Sequence, residues 1–215
     1  MTDNGRYPGY DVLAKRDTMS WNAVTRQVID RRLAVPRQPQ FFTPTEWTTL
    51  VALCARILPQ PGNRPAVPLA AYVDQRMVNG AGDGYRFADM PDERESWRRG
   101  LAALDAEARA RHGESFHAIP TSDQDTLIGQ MQRGELHDPA WGDMPRKTFF
   151  AHRVLPDITH AYYAHPTAWN EIGFGGPASP RGYVRMALDR RDLWEAVEAH
   201  PGEEAASARK NARVG

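Results

Sequence analysis

The chain has 215 residues, enough for one domain with a sizeable core. Its 27 basic and 27 acidic side chains cancel, so it lacks the global charge imbalance of proteins that bind nucleic acid or anionic membranes. The single cysteine, Cys54, excludes an intramolecular disulfide framework and any Cys-x-x-Cys metal or covalent haem attachment site, and no apolar run approaches the roughly 18 residues of a membrane-spanning helix.

Residues 1–17 are polar and carry Tyr7, Pro8, Gly9 and Tyr10, an arm that would order only against something else. An amphipathic helix is predicted from Thr18 to Leu33, with Trp21, Val24 and Val28 on one face, and Pro36 and Pro39 form a linker. The next start signal is the strongest in the chain. Thr43 is an N-cap, Pro44 occupies the first helical position, Glu46 completes a capping box, and Phe42 and Trp47 take the two places of a hydrophobic staple. That helix runs to Leu58 on a buried stripe of Trp47, Leu50, Val51, Cys54, Ile57 and Leu58, and Pro59 with Pro61-Gly62 stops it. Cys54 reads as a small core hydrophobe.

A shorter helix, Leu69 to Asn79, turns Leu69, Tyr72, Val73 and Met77 inward. Gly80, Gly82 and Gly84 follow without the closing Gly-Lys-Ser/Thr of a phosphate loop. A long charged helix spans Asp92 to His112 on a seam of Trp97, Leu101, Leu104 and Ala108, with Gly113 as C-cap and Gly100 allowing close packing. Thr121 and Gln124 read as a second capping box, opening a helix to Gly134. From Arg146 to Tyr163 the pattern is again helical, with Phe149, Phe150, Val154, Ile158, Ala161 and Tyr162 inward and a kink expected at Pro156. A last helix is predicted over Asp189 to His200, and the tail after Gly202 reads as disordered. These elements predict an all-α, single-domain helical bundle of about six to seven helices. The expected divisions are an arm and helix over 1–40, the main domain over 41–200 and the tail over 201–215.

The segment Tyr162 to Tyr183 is different: aromatic, rich in glycine and proline, and without periodicity. Long ordered loops of this kind lie on the surface and carry function more often than the elements they join. Tyr163, His165, Pro166, Trp169, Phe174 and Tyr183 are candidates for a partner contact surface, with Gly173, Gly176 and Gly182 supplying backbone shape. The alternative is a packed connector whose aromatics seal the core. Gly173-Phe-Gly-Gly-Pro-Ala178 matches the letters of a dinucleotide fingerprint, but a helix and several prolines surround it instead of the strand and helix that motif needs. His152, His160 and His165, with Asp157 and Glu171 nearby, are candidates for a metal or acid/base centre. Helical ligand pairs need i, i+3 or i, i+4 spacing, and eight residues separate His152 from His160.

Tyr162-Tyr163-Ala-His165-Pro166, Ile172-Gly173-Phe174-Gly175-Gly176-Pro177 and Arg181-Gly182-Tyr183 together resemble the C-terminal signature of the gluconate 2-dehydrogenase subunit 3 family. Phe41 to Pro59 is similar to that family's opening helix, and Gly100-Leu101-Ala-Ala-Leu104-Asp105 with Gly113-Glu-Ser-Phe116 to its middle portion. The resemblance implies a small non-catalytic chain, without a cofactor of its own, bound to a large FAD-dependent dehydrogenase of the glucose-methanol-choline class. A cytochrome c subunit carrying haem c often serves as electron acceptor. The reaction implied is oxidation of a sugar, sugar acid or polyol, and the small chain's implied task is folding, stability or export of the flavin subunit. The family commonly begins with a twin-arginine signal. Here Arg31-Arg32 runs directly into Pro36 with no apolar region after it, so the expectation is a cytoplasmic chain, or one exported folded with a signal-bearing partner.

Overall fold

The computed structural model describes residues 5–62, 65–80, 82–84, 87–185, 187 and 190–213. Among them the fold is all-α, with eight helices and a single β-bridge, between Trp21 and Ser179. The chain forms two compact units, residues 35–162 and residues 1–34 with 163–215, so the boundaries expected at 40 and 200 do not coincide with them.

The 35–162 unit is built on α4 (Glu93–His112), which packs against α2 (Pro44–Ile57), α5 (Thr121–Arg133) and α6 (residues 146–163). α3 (Leu69–Asn79) packs on α2. The start of α2 is as its sequence requires: Thr43 Oγ1 accepts the Glu46 amide at 3.3 Å and Glu46 Oε2 accepts the Thr43 amide at 2.8 Å. Its buried stripe is Thr49, Leu50, Leu53 and Cys54, whereas Val51 is exposed, so the face lies one position round from the expected one. The entry to α2 is held by an unanticipated residue. Asp74 on α3, buried, accepts the amides of Gln40, Phe41 and Phe42 at 2.8, 3.0 and 3.0 Å.

Trp97, Leu101, Leu104 and Ala108 form the buried seam of α4, and Gly113 caps it in the left-handed region. Gly100 permits the closest approach of the core, because a Cβ there would sit 2.2 Å from Phe149 Cζ on α6. α5 has no side-chain cap: it begins after Pro120, which places Thr121 inside the first turn. The side-chain amide nitrogen of Gln124 instead donates to the carbonyls of Phe116 and Ile119 at 2.9 and 3.3 Å. In α6 the disruption expected at Pro156 appears one turn earlier, as a π-helical turn over Phe150–Val154 between α-helical pieces Arg146–Phe149 and Leu155–Tyr163. Proline cannot donate to the carbonyl four residues back and its ring crowds that carbonyl, and a widened turn just before it relieves both problems.

The other unit has a core of Tyr7, Tyr10, Val12, Trp21, Ile29, Trp169 and Ala196. The polar arm is therefore ordered within its own chain. Asp11 caps a 3-10 turn over Val12–Lys15 and Tyr7 and Tyr10 are buried. Helix α1 (Ala23–Leu33) starts at Asn22, later than Thr18, because the Asn22 side chain accepts the Thr25 amide at 2.9 Å while Thr18 is occupied with the Lys15 carbonyl. Ile29 is its buried residue and Val24 is 66% exposed, a correction to the expected face.

Helix α7 (Pro166–Ile172) lies in the segment read as aperiodic. The helix expected over Asp189 to His200 is not formed across the described part, 190–200, while residue 189 falls outside the described residues. The tail expected to be disordered instead carries α8 (Glu204–Asn211). Buried Asn211 explains the order: its side chain accepts the Val197 amide at 2.7 Å and donates to the carbonyls of Pro8 and Val197 at 2.9 and 3.0 Å, tying the tail to the arm.

Candidate interaction surface

All nine residues singled out in the Tyr162–Tyr183 segment belong to the unit that contains the arm. They separate into a buried or half-buried frame and an exposed rim. His165 is the N-cap of α7, its Nδ1 accepting the Thr167 amide at 3.2 Å, and Pro166 occupies the first helical position. Pro166 is buried, and Trp169, 4% exposed, donates from Nε1 to the Tyr163 carbonyl at 2.7 Å while Arg32 stands over its ring.

Gly173 and Gly176 have positive φ, and their missing side chains leave the space that the arm fills. A Cβ at Gly173 would lie 2.4 Å from Tyr7 Cζ, and one at Gly176 would lie 2.9 Å from a Val12 methyl. That geometry does not fit a dinucleotide, whose pyrophosphate would need the same open backbone, and the motif follows the helix α7 instead of ending a strand. Between the two glycines the Gly175 carbonyl accepts from the ammonium of Lys15 at 2.8 Å. Burial brings the Lys15 ammonium down to about 8.

The rim consists of Tyr163, Phe174 and Tyr183, 52, 44 and 36% exposed. Phe174 stands edge-on to Trp169, with ring centroids 5.6 Å apart at 90°, and the Tyr183 hydroxyl donates to the Gly176 carbonyl, so both rings are held in place on the outside. Nothing lies within 4 Å of a Cβ at Gly182, whose glycine is accounted for by its φ of +72° alone. Of the twelve large hydrophobic side chains exposed among the described residues, nine belong to this unit.

The histidine constellation is distributed differently. His152 and His160 lie on α6 and are exposed, the His152 ring resting on Phe87 with centroids 4.0 Å apart, whereas His165 belongs to the other unit as a cap. Among the described residues no group of three or more His, Cys, Asp or Glu side chains is placed to hold a metal ion.

The 35–162 unit also contains an ion network that the sequence reading missed. Arg76 bonds Asp83 at 2.5 Å and Glu93, Arg153 bonds Asp83 at 2.9 Å and Glu93 at 3.3 Å, and all four line a cleft of about 490 Å³. Beneath it Asp157, 5% exposed, accepts the Trp97 indole N–H at 2.7 Å. Burial pushes the Asp157 carboxyl up to about 6, against the pull of the Trp97 N–H and Arg76. Each guanidinium here is already matched by carboxylates, so the network reads as a support for the loop after α3.

The fold is all-α, and among the described residues no helix is long and apolar enough to cross a membrane. The family model of gluconate 2-dehydrogenase subunit 3 matches residues 44–176. The chain belongs to that family, which makes it an accessory subunit of a multi-subunit dehydrogenase. No curated protein and no solved structure matches the chain.

Proposed function

We propose that the chain is the small, non-catalytic subunit of an FAD-dependent dehydrogenase of the glucose-methanol-choline class that oxidises a sugar, sugar acid or polyol. The FAD is held by the large subunit, hydride passes from substrate to that flavin, and a cytochrome c subunit takes the electrons onward. The small chain keeps the flavin subunit folded and stable, and accompanies it wherever the assembled complex works. It does so in the cytoplasm, or after export in the folded state with a signal-bearing partner.

The observation that carries the reading is the family match across residues 44–176, which ends in the Gly173–Gly176 loop. The rim is suited to the role. Tyr163, Phe174 and Tyr183 are exposed aromatics held by bonds and ring contacts within the unit, and preorganised aromatic side chains lose little entropy on docking. His165, Pro166, Trp169, Gly173, Gly176 and Gly182 set the shape on which the rim stands.

Expressing the large subunit with and without this chain tests the role. The expected result is soluble, FAD-loaded large subunit only in the presence of the chain. Equal yield and equal flavin content without it would sink the folding and stability role.

A further inference from the structure

Beyond the predicted rim, the described part of the segment following Tyr183 engages the carboxylates of Asp192 and Glu195 with its own backbone and leaves Arg185 and Arg190 exposed. Asp192, buried, accepts the amides of Val184 and Arg185 through Oδ2 at 3.0 and 3.2 Å, and Glu195 accepts the Asp192 amide at 2.6 Å. The acidic groups are thus engaged by backbone. Arg181 stacks over the Trp194 ring at 4.3 Å, and Arg185 donates to the Arg191 carbonyl at 3.3 Å. Among the described residues neither of these nor Arg190 has a carboxylate partner.

The same clamp ties the backbone of Val184 to Asp192, the residue before Leu193, and the Val184 and Leu193 side chains are 73 and 86% exposed. Neither contributes to the core of this unit, and both lie close in sequence to these arginines. Aliphatic side chains near arginine and tyrosine are the composition of a protein interface, and guanidinium groups with no carboxylate partner among the described residues favour an anionic one. Three apolar side chains on a loop, with no amphipathic helix, favour a protein over a lipid surface.

We propose that Tyr183, Val184 and Leu193, with Arg181, Arg185 and Arg190, form a docking face for an acidic, apolar-centred surface of the dehydrogenase subunit that this chain accompanies. The proposal rests on the accessory-subunit reading above and adds the face used and the charge of its partner. Asp192 is the positioning residue, since its bonds to two amides fix the loop before docking.

The test is purification of the tagged chain from its host, identifying the retained dehydrogenase subunit by mass and flavin spectrum, and washing the complex at rising salt. R185E/R190E and L193S are expected to weaken retention about tenfold with unchanged melting temperature, and R185E/R190E to flatten its salt dependence. R185K/R190K, which keeps the charge, should stay within about threefold of the parent. Equal retention in all variants would overturn the docking face and leave the accessory-subunit role standing. A parent chain that retains no dehydrogenase subunit would overturn both. Binding to phosphatidylglycerol vesicles that R185E/R190E abolishes, with subunit retention untouched, would overturn the proposal in favour of a membrane surface.

Discussion

The indole N–H of Trp97 donates to the Asp157 carboxylate at 2.7 Å, joining α4 to the part of α6 that follows the π turn. Arg76, with a nitrogen 3.8 Å from Asp157, links the same carboxylate to α3, so one buried acid braces three helices. A buried carboxylate costs stability when ionised, and here the bonds offset that cost only in part.

Asp157 therefore makes stability depend on pH. Its folded value of about 6 lies above the unfolded value of 3.8, so the folded state holds the proton more tightly, and this stabilisation is full below 3.8 and is lost as pH rises through 6. D157N keeps an acceptor for Trp97 and removes the titration. Urea unfolding of the parent and D157N between pH 4 and 7 is expected to show the parent losing about 2–3 kcal/mol relative to the variant across that window. Parallel curves would contradict it.

Gly100 is required by Phe149. An added methyl would meet the Phe149 ring at 2.2–2.8 Å, far inside contact distance. G100A improves helix propensity by about 1 kcal/mol, yet overpacking is expected to exceed that gain and lower stability by about 1–3 kcal/mol net. The expected lower melting temperature should be restored in part by G100A/F149L, and an additive double mutant would argue against the contact.

Asp74 closes the entry to α2 with three amide bonds. D74A leaves those donors without a partner and is expected to cost at least about 3 kcal/mol in denaturant unfolding, more than an exposed aspartate change would. A cost under about 0.5 kcal/mol would show that the amides find other acceptors.

Trp169 and Phe174 are in edge-on contact yet should behave differently. W169A removes a core ring and is expected to lower stability by about 3–5 kcal/mol, while F174A, at an exposed site, should change it by less than about 1. If the rim is a contact surface, F174A weakens subunit retention without a shift in melting temperature. Equal stability losses would place both rings in the core.

What could be read from the residues was what neighbours in sequence decide. The capping box at Thr43 and Glu46, the α4 seam and the stop at Gly113 are local, and the structure has them. The arm was beyond reach because its partners are remote: Val12 donates its amide to Asn170, and Tyr7 fills the space at Gly173, each about 160 residues away. Polar residues that do core work, Asp74, Asp192 and Asn211, carry no pattern before their partners are known. Helix α7 had a readable signal in Pro166 at its first position and Gly173 past its end, which the aromatic density of the segment obscured. Over 190–200 the helical pattern lost to contacts from elsewhere, as Ala199 donates to the Arg6 carbonyl. In the candidate site, composition pointed to the aromatics but not to which are frame and which are rim.

The most direct measurement is the absorbance spectrum and mass of whatever stays with the tagged chain when it is purified from its host. The expected result is a yellow complex containing a large flavoprotein that oxidises a sugar, sugar acid or polyol. A colourless chain recovered alone would contradict it.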